Sequence, residues 1–293
     1  MKPYLLEILR CPNCEGGLSL EPVEAQFRCQ VCARTYPALG EIPVFTQPPE
    51  NLVPSERKER GPGAGTPWRQ ANWRFLQAQI DRLPLDATVL DVGAGRGDFA
   101  SALNGRLSLA LDVYPYPEVD LVCDLGQTNP LRPGCFDAIL LLNVLEHVYD
   151  PHALLSTLAK LIKPGGILIA AVPFLVKIHQ APVDFARYTH FALERLGSDH
   201  GLAVDTLEGF YHPASVLAEG LGNLRNSVLP GLPSPRRYPA RLLLSGMQAL
   251  ASGLDRLLGS GQSLSPARTL SLSPTGYHVV YRKPNTEGNP QTI

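Results

Sequence analysis

Thr88-Val89-Leu90-Asp91-Val92-Gly93-Ala94-Gly95-Arg96-Gly97 is the stretch on which the fold reading turns. Thr88 to Val92 is a short, mostly apolar run of the kind found in strands buried on both faces of a parallel sheet. It breaks into three glycines at alternate positions. Asp98 to Leu103 is then expected to open a helix. Glycines at such a turn let the chain bend sharply and leave main-chain N–H groups open to a ligand. Strand, glycine turn and helix together describe a nucleotide cradle.

Outward from this turn, apolar strands alternate with helical segments. Leu107 to Val113 reads as a second strand ending near Asp112, about twenty residues past the glycines, where a carboxylate can accept hydrogen bonds from ribose hydroxyls. Val119 to Cys123 reads as a third strand ending in Asp124-Leu125, and Phe136 to Leu142 as a fourth ending in Asn143. Pro151 to Ile162 has the pattern of a helix, with Asp150 as its N-cap and Pro151 in its first turn. Lys163-Pro164-Gly165-Gly166 stops that helix, and Ile167 to Val172 follows as a fifth strand. Ahead of the glycine turn, Trp73, Leu76, Ile80 and Leu83 recur at helical spacing up to Pro84. This alternation specifies an α/β fold, a doubly wound Rossmann-like sheet.

A glycine turn alone does not distinguish a dinucleotide site from others. Three details separate them here: the spacing G-x-G-x-G, the acidic Asp91 two residues before the first glycine, and the Pro-Gly-Gly turn before the fifth strand. Val89 to Gly97, Asn143-Val144-Leu145-Glu146-His147-Val148 and Leu161 to Gly166 resemble the class I S-adenosylmethionine-dependent methyltransferases, a group that includes ubiquinone-type and other small-molecule enzymes. The resemblance covers roughly residues 70–210 and implies a seven-stranded sheet and S-adenosyl-L-methionine as cofactor. It implies that Gly93 and Gly95 admit the methionine part, that Asp91 orders the turn or the amino group, and that Asp112 holds the ribose. Asp124 and Leu125 would bracket the adenine, and Ala94 and Asn143 complete the cofactor-binding set.

Methyl transfer from a sulfonium requires alignment and exclusion of water more than acid–base power. The acceptor is expected at the ends of the fourth and fifth strands, where the crevice of such a sheet opens. His147 and His179 are the candidate catalytic bases, since imidazole titrates near neutrality. Packing of His147 against the sheet edge is the alternative for that residue. Around His179, the stretch His179 to Thr189 is similar to one in many bacterial methyltransferases of this group. Within it Asp184 and Arg187 are expected to pair, Tyr188 to pack and Thr189 to cap a helix from His190 to Asp199.

The first 46 residues form a unit of another kind. Cys11-Pro12-Asn13-Cys14 and Cys29-Gln30-Val31-Cys32 are two knuckles joined by a short hairpin, the spacing of a closed, structural four-cysteine zinc site. So small a segment depends on its metal for much of its folding energy. Leu5 to Leu9 leading into the first knuckle, and Tyr36 to Val44 after the second, resemble the small zinc-ribbon proteins that pair with and activate methyltransferases acting on tRNA, rRNA and translation release factors. Residues 47–67, rich in proline, glycine and balanced charge, read as a linker. On this division the segment 70–293 is expected to bind cofactor without the ribbon.

The sequence of 293 residues carries 18% charged residues and a formal net charge of −1, so no overall basic field points to nucleic acid. The start lacks the pattern of a secretory leader, no run is long enough to span a bilayer, and paired cysteines fit a reducing compartment; the expectation is a cytoplasmic protein. Leu202 to Phe210 and Tyr277 to Arg282 read as the last two strands. Between them, 212–272 is expected to form a helical cap, with Pro213 to Leu229 and Arg241 to Leu258 as its helices and a proline-rich break between. Leu243, Met247, Leu250, Leu254 and Leu257 give the second helix an apolar stripe, read as a lid packed on the core or as a homodimer contact, with a hydrophobic wall for a lipid-like acceptor or peripheral membrane contact as the alternative. The domain then runs 68–283, with 284–293 as a tail. The favoured acceptor is a small or biosynthetic metabolite. Methylation of rRNA, tRNA or a translation protein is the first alternative, and a non-catalytic, cofactor-binding regulatory partner the second.

Overall fold

A computed structural model of the chain describes residues 2–48, 54, 61–210, 213–231, 233–258 and 274–285. Most of the expected linker, parts of the 212–272 insertion and most of the 284–293 tail therefore lie outside the described residues.

The chain begins with helix α1 (Pro3–Ile8) and a four-stranded antiparallel sheet, β1 (Leu18–Glu21), β2 (Gln26–Cys29), β3 (Thr35–Leu39) and β4 (Ile42–Pro43), in sequential order. This ribbon is built into the body that follows. Helix α2 (Pro67–Ile80) starts at Thr66, whose side chain accepts the Arg69 N–H, and has Pro67 in its first turn. The main sheet comprises β5 (Thr88–Val92), β6 (Leu107–Asp112), β7 (Leu121–Val122), β8 (Phe136–Leu142), β9 (Ile162–Pro173), β10 (Ala203–Phe210) and β11 (Gly276–Arg282). Its order is β10-β11-β9-β8-β5-β6-β7, parallel throughout except for β11, which runs antiparallel to both neighbours. Helices α3 (Pro151–Leu161) and α4 (His190–Asp199) begin at Asp150 and Thr189, whose side chains accept the N–H of Ala153 and Ala192.

Two local expectations change. Asp98 to Leu103 forms no α-helix; only a 3-10 turn, Ala100–Leu103, appears. The segment is too short to repay helix nucleation, and Asn104 and Gly105 stop it in left-handed conformations, φ 51° and 76°. Lys163 to Gly166 is no loop ahead of the fifth strand, because β9 already begins at Ile162. Ile162 pairs with Phe136 and Ile167 with Ala138, so the four residues between bulge from one continuous strand.

The ribbon closes the β7 edge of the sheet. Val44 forms a parallel bridge with Val122, and the Phe45 N–H donates to the Val122 carbonyl at 2.8 Å. Nearby, Leu9 bridges Leu131, and the Arg132 N–H donates to the Ile8 carbonyl at 2.9 Å. Leu5, Ile8 and Leu9 are buried in the same apolar core as Leu131, Phe136 and Leu161. A two-residue edge strand left open would present unpaired backbone, and the ribbon removes that liability. This shared core argues against the expectation that 70–293 stands alone.

Between β10 and β11 the chain forms α5 (Pro213–Asn223), a π-turn over Leu224–Val228, a 3-10 turn over Leu229–Gly231, and α6 (Ser234–Leu258). The expected proline break is thus confined to the residues before Ser234, and α6 runs through Pro239. Helices α5 and α6 pack on each other, and Leu242, Leu243, Met247, Leu250 and Leu254 of α6 remain exposed. Among the described residues no helix is long and apolar enough to cross a membrane.

Candidate cofactor cleft and acceptor site

The carboxyl ends of β5, β6 and β8 enclose a cleft of about 550 Å³. Its inner wall is the glycine turn. Gly93 and Gly95 have φ of 72° and 52°, conformations that favour glycine. A Cβ on Gly93 would lie 2.4 Å from Val144 Cγ2, whereas one on Gly95 would meet nothing within 4 Å. Gly93 is therefore required by packing, and Gly95 faces open space. Backbone N–H groups of Gly93 and Ala94 both donate to the Leu111 carbonyl, at 2.8 and 3.0 Å, which ties the turn to β6.

Asp112 joins the turn to the cleft. Its Oδ2 accepts the Gly95 N–H and its Oδ1 the Tyr114 N–H, both at 2.9 Å. Burial pushes its carboxyl pKa up, while the N–H groups of Tyr114 and Gly95 act against that. Asp124 and Leu125 line the same cleft. The Asp124 carboxylate is engaged in its own turn, accepting from Gly126 N–H at 2.9 Å and Gln127 Nε2 at 2.6 Å. Asn143, φ 56°, borders the cleft, but its Oδ1 accepts from Trp68 Nε1 at 2.9 Å and Asn72 Nδ2 at 3.4 Å. Its side chain is thus held by α2.

Asp91 and Ala94 do not line this cleft. Asp91 faces a second cavity of about 280 Å³, shared with Gly97, Ser101, Ser108 and Glu118. Burial, with Asp112 and Asp98 close by, pushes its carboxyl up to about 7. A folded-state value above the ordinary 3.8 means that the native state holds this proton more tightly than the unfolded chain does. The associated stability is complete below pH ~4 and is lost as pH rises through 7. Without cofactor, Asp91→Asn should match the wild type near pH 4 and exceed it increasingly up to pH 8, by on the order of 4 kcal/mol at most. Denaturant titrations across that range measure it; a difference independent of pH would show that Asp91 is not held neutral.

Opposite the glycine turn, His147 forms part of the cleft wall. It closes a 3-10 turn, Leu145–His147, directly after β8, and its Nδ1 lies 2.7 Å from the Val183 carbonyl. That contact makes Nδ1 the protonated nitrogen and leaves Nε2 with its lone pair. His179 lies outside the cleft lining but edge-on to His147, with ring centroids 4.8 Å apart. Between them sits Glu146, fully buried, whose Oε1 is 3.7 Å from the Nε2 of each histidine. The Glu146 carboxylate raises the pKa of His179, with burial opposing it. Asp184 pairs with Arg187 Nη1 at 2.5 Å, which holds its carboxyl well below the ordinary range, and Tyr188 donates to the Leu145 carbonyl at 3.2 Å.

The sequence reading set Glu146 beside His147 after the fourth strand but gave it no role of its own. It missed Tyr116 and Tyr149, and it placed Gln180, Val183 and Phe185 only as part of the stretch after the fifth strand; all five line the cleft, from three separate loops. Aromatic residues within loops were the available signal. The ribbon's cysteines do converge: Cys11 and Cys32 Sγ are 3.6 Å apart, Cys14 and Cys29 3.4 Å, and all four lie within 4.8 Å of one another. A tetrahedral zinc at 2.3 Å from each sulfur sets a spacing of about 3.8 Å, so the set fits a structural zinc.

Comparison with known proteins agrees with this geometry. Residues 68–207 match the family described as "Methyltransferase domain", and residues 2–37 match "Trm112p-like protein". Residues 68–207 therefore form a class I S-adenosylmethionine-dependent methyltransferase domain, fused to a Trm112-like zinc ribbon. The chain is similar to the ubiquinone biosynthesis O-methyltransferase of Caulobacter vibrioides, 33% identical over 120 residues, or 35% of this chain and 47% of that protein. It is likewise similar to that of Xanthomonas euvesicatoria pv. vesicatoria, 33% identical over 141 residues, or 42% of this chain and 57% of that one. The chain thus spans about half the length of the curated relatives it matches. Among solved structures, a complex of the Haloferax volcanii Trm112 methyltransferase activator with a methyltransferase aligns at a TM-score of 0.46 and 16% identity, covering 74% of this chain and 92% of that one.

Proposed function

We propose that the protein is an S-adenosylmethionine-dependent methyltransferase that methylates an oxygen of a small or biosynthetic metabolite. The observation that carries this reading is the cleft itself. The glycine turn and Asp112 form one wall, and a histidine with a free Nε2 lies on the other. S-Adenosylmethionine supplies a sulfonium methyl group when bound. Gly93 and Gly95 give its methionine end access to the backbone, Asp112 accepts hydrogen bonds from the ribose, and Leu125 meets the adenine. Asp124 shapes the adenine end by bracing its own turn. The acceptor hydroxyl enters beside His147, and the His147–Glu146–His179 cluster governs its proton. Tyr149 and Phe185, which stack edge-on at 5.5 Å, shield that end from water.

On this reading the ribbon, 1–46, acts in cis as the closing edge of the methyltransferase unit, 68–283, with 47–67 between them, and the protein works in the cytoplasm. The α5–α6 insertion contributes no residue to the cleft lining among the described residues. The test is incubation of the purified protein with methyl-labelled S-adenosylmethionine and a small-molecule extract, followed by mass spectrometry. Label in a hydroxylated metabolite is expected. Label confined to RNA or protein fractions, or transferred to nothing, would overturn the reading.

A further inference from the structure

We propose that His278, on β11, is a positioning residue for the cofactor cleft: through Asn72 it turns the Asn143 amide so that its Nδ2 donor serves the methionine end of the cofactor. The inference deepens the proposed function and rests on it. His278 is buried inside the main sheet and does not line the cleft. Its imidazole is stacked between two rings of α2, Trp68 with centroids 5.1 Å apart and Phe75 at 4.4 Å, the planes within 8° and 12° of parallel. Its Nε2 lies 2.8 Å from Oδ1 of Asn72, which is fully buried. Asn72 Nδ2 reaches Asn143 Oδ1 at 3.4 Å, and the same oxygen accepts from Trp68 Nε1 at 2.9 Å. Buried polar side chains that satisfy one another in this way hold a single arrangement.

The indole sets the direction of this chain. An indole N–H can only donate, so Asn143 presents its Oδ1 to α2. Asn72 then offers its NH2 group to that oxygen and its own Oδ1 to the imidazole, which makes Nε2 of His278 the donor. Burial pushes the His278 pKa down, with Glu208 acting against it and Arg74 adding to it, so the ring is neutral near neutrality and its one proton sits on Nε2. Glu208 Oε1 stands 3.4 Å from Nδ1, on the far side of the ring from Asn72. β11 also makes room for the indole, since a Cβ on Gly276 would lie 2.5 Å from Trp68 Cη2.

The Asn143 backbone is fixed independently, with φ 56° and its N–H on the Ala171 carbonyl at 2.8 Å, so the amide orientation is what the chain decides. With Oδ1 spent on α2, Nδ2 is the group that Asn143 has for the cleft it borders. Its neighbour Val144 packs against Gly93, the glycine that on the proposed function admits the methionine part. The carboxylate of that part accepts a hydrogen bond from Nδ2. A reversed amide would set one oxygen against another there.

The test compares two ligands of the full-length protein by calorimetry: S-adenosylhomocysteine, and methylthioadenosine, which lacks the amino-acid end. His278→Phe keeps the ring stack and removes the donor to Asn72. It should lower the affinity for S-adenosylhomocysteine about tenfold and leave that for methylthioadenosine within about twofold of the wild type. His278→Gln, whose amide returns a donor near the place of Nε2, should recover most of the loss. An equal loss for both ligands would make His278 a residue of the core alone and overturn the inference, as would an unchanged affinity for S-adenosylhomocysteine. If His278→Phe does not fold, Asn72→Ala decides by the same pair of ligands, since it cuts the chain and leaves the stacked rings whole. A wild type that binds both ligands, with variants that match it, loses this inference and keeps the methyltransferase reading. A wild type that binds neither loses the reading and the inference together.

Discussion

Asp112→Ala should lower the affinity for S-adenosylhomocysteine by two orders of magnitude or more, as read by calorimetry. The carboxylate does two things at once. On the proposed function it receives the ribose hydroxyls, and it also holds the Gly95 and Tyr114 N–H groups. A hydrogen bond to a charged group contributes about 1.5–3 kcal/mol, so loss of the ribose contacts alone accounts for most of the expected change. Release of the Gly95 N–H adds to it by loosening the turn. Asp124→Ala is the matched control, because its carboxylate is spent on Gly126 and Gln127 within its own turn. It should cost about tenfold or less. Equal effects at the two positions would mean that the ribose is not held at Asp112.

The second large effect is expected from removing the ribbon. Deletion of residues 1–46 should abolish cofactor binding and cooperative unfolding together. Buried apolar side chains leave with it, among them Leu5, Ile8 and Leu9 at α1, each worth about 1.5–3 kcal/mol. So do the Lys2–Asp120 contact at 2.7 Å, the Tyr4 hydrogen bond to the Cys135 carbonyl at 2.9 Å, and the bridge that closes β7. Against a typical total stability of about 5–15 kcal/mol, such a loss is decisive. Cys29→Ser, which removes one zinc ligand from a buried position, should act in the same direction. Both are measured by thermal unfolding followed at once by circular dichroism and cofactor binding. A truncated chain that melts and binds as the full chain does would show that the ribbon is an appendage.

How much of this was visible beforehand depended on how local the cause was. The strand Thr88–Val92, the caps Asp150 and Thr189, and the helix His190–Asp199 follow from patterns a few residues long, and they stand where expected. The four cysteines likewise announce themselves by spacing. What failed to show were partnerships between distant segments. Nothing near Val44 says that it will continue a sheet beside Val122. Nothing near Asn143 says that its side chain will be taken by Trp68, and Glu146 becomes notable only when its carboxylate is found buried between histidines 147 and 179. The bulge over Lys163 to Gly166 was misjudged because proline and glycines mark turns in most settings, and here the flanking residues pair on both sides of them.

The placement of β11 has a consequence for the order in which the protein can be made. This strand, the last among the described residues, is not at the margin of the sheet but between β9 and β10, where its backbone pairs on both sides. During synthesis the ribbon and the glycine turn emerge early, yet the sheet keeps a gap one strand wide until residue 282 has left the ribosome. Meanwhile β9 and β10 present open edges, and the buried partner of Asn72, His278, is missing. The methyltransferase unit therefore completes only once β11 is available to fill that gap. The long excursion through α5 and α6 lengthens the interval during which the nascent chain stands unprotected.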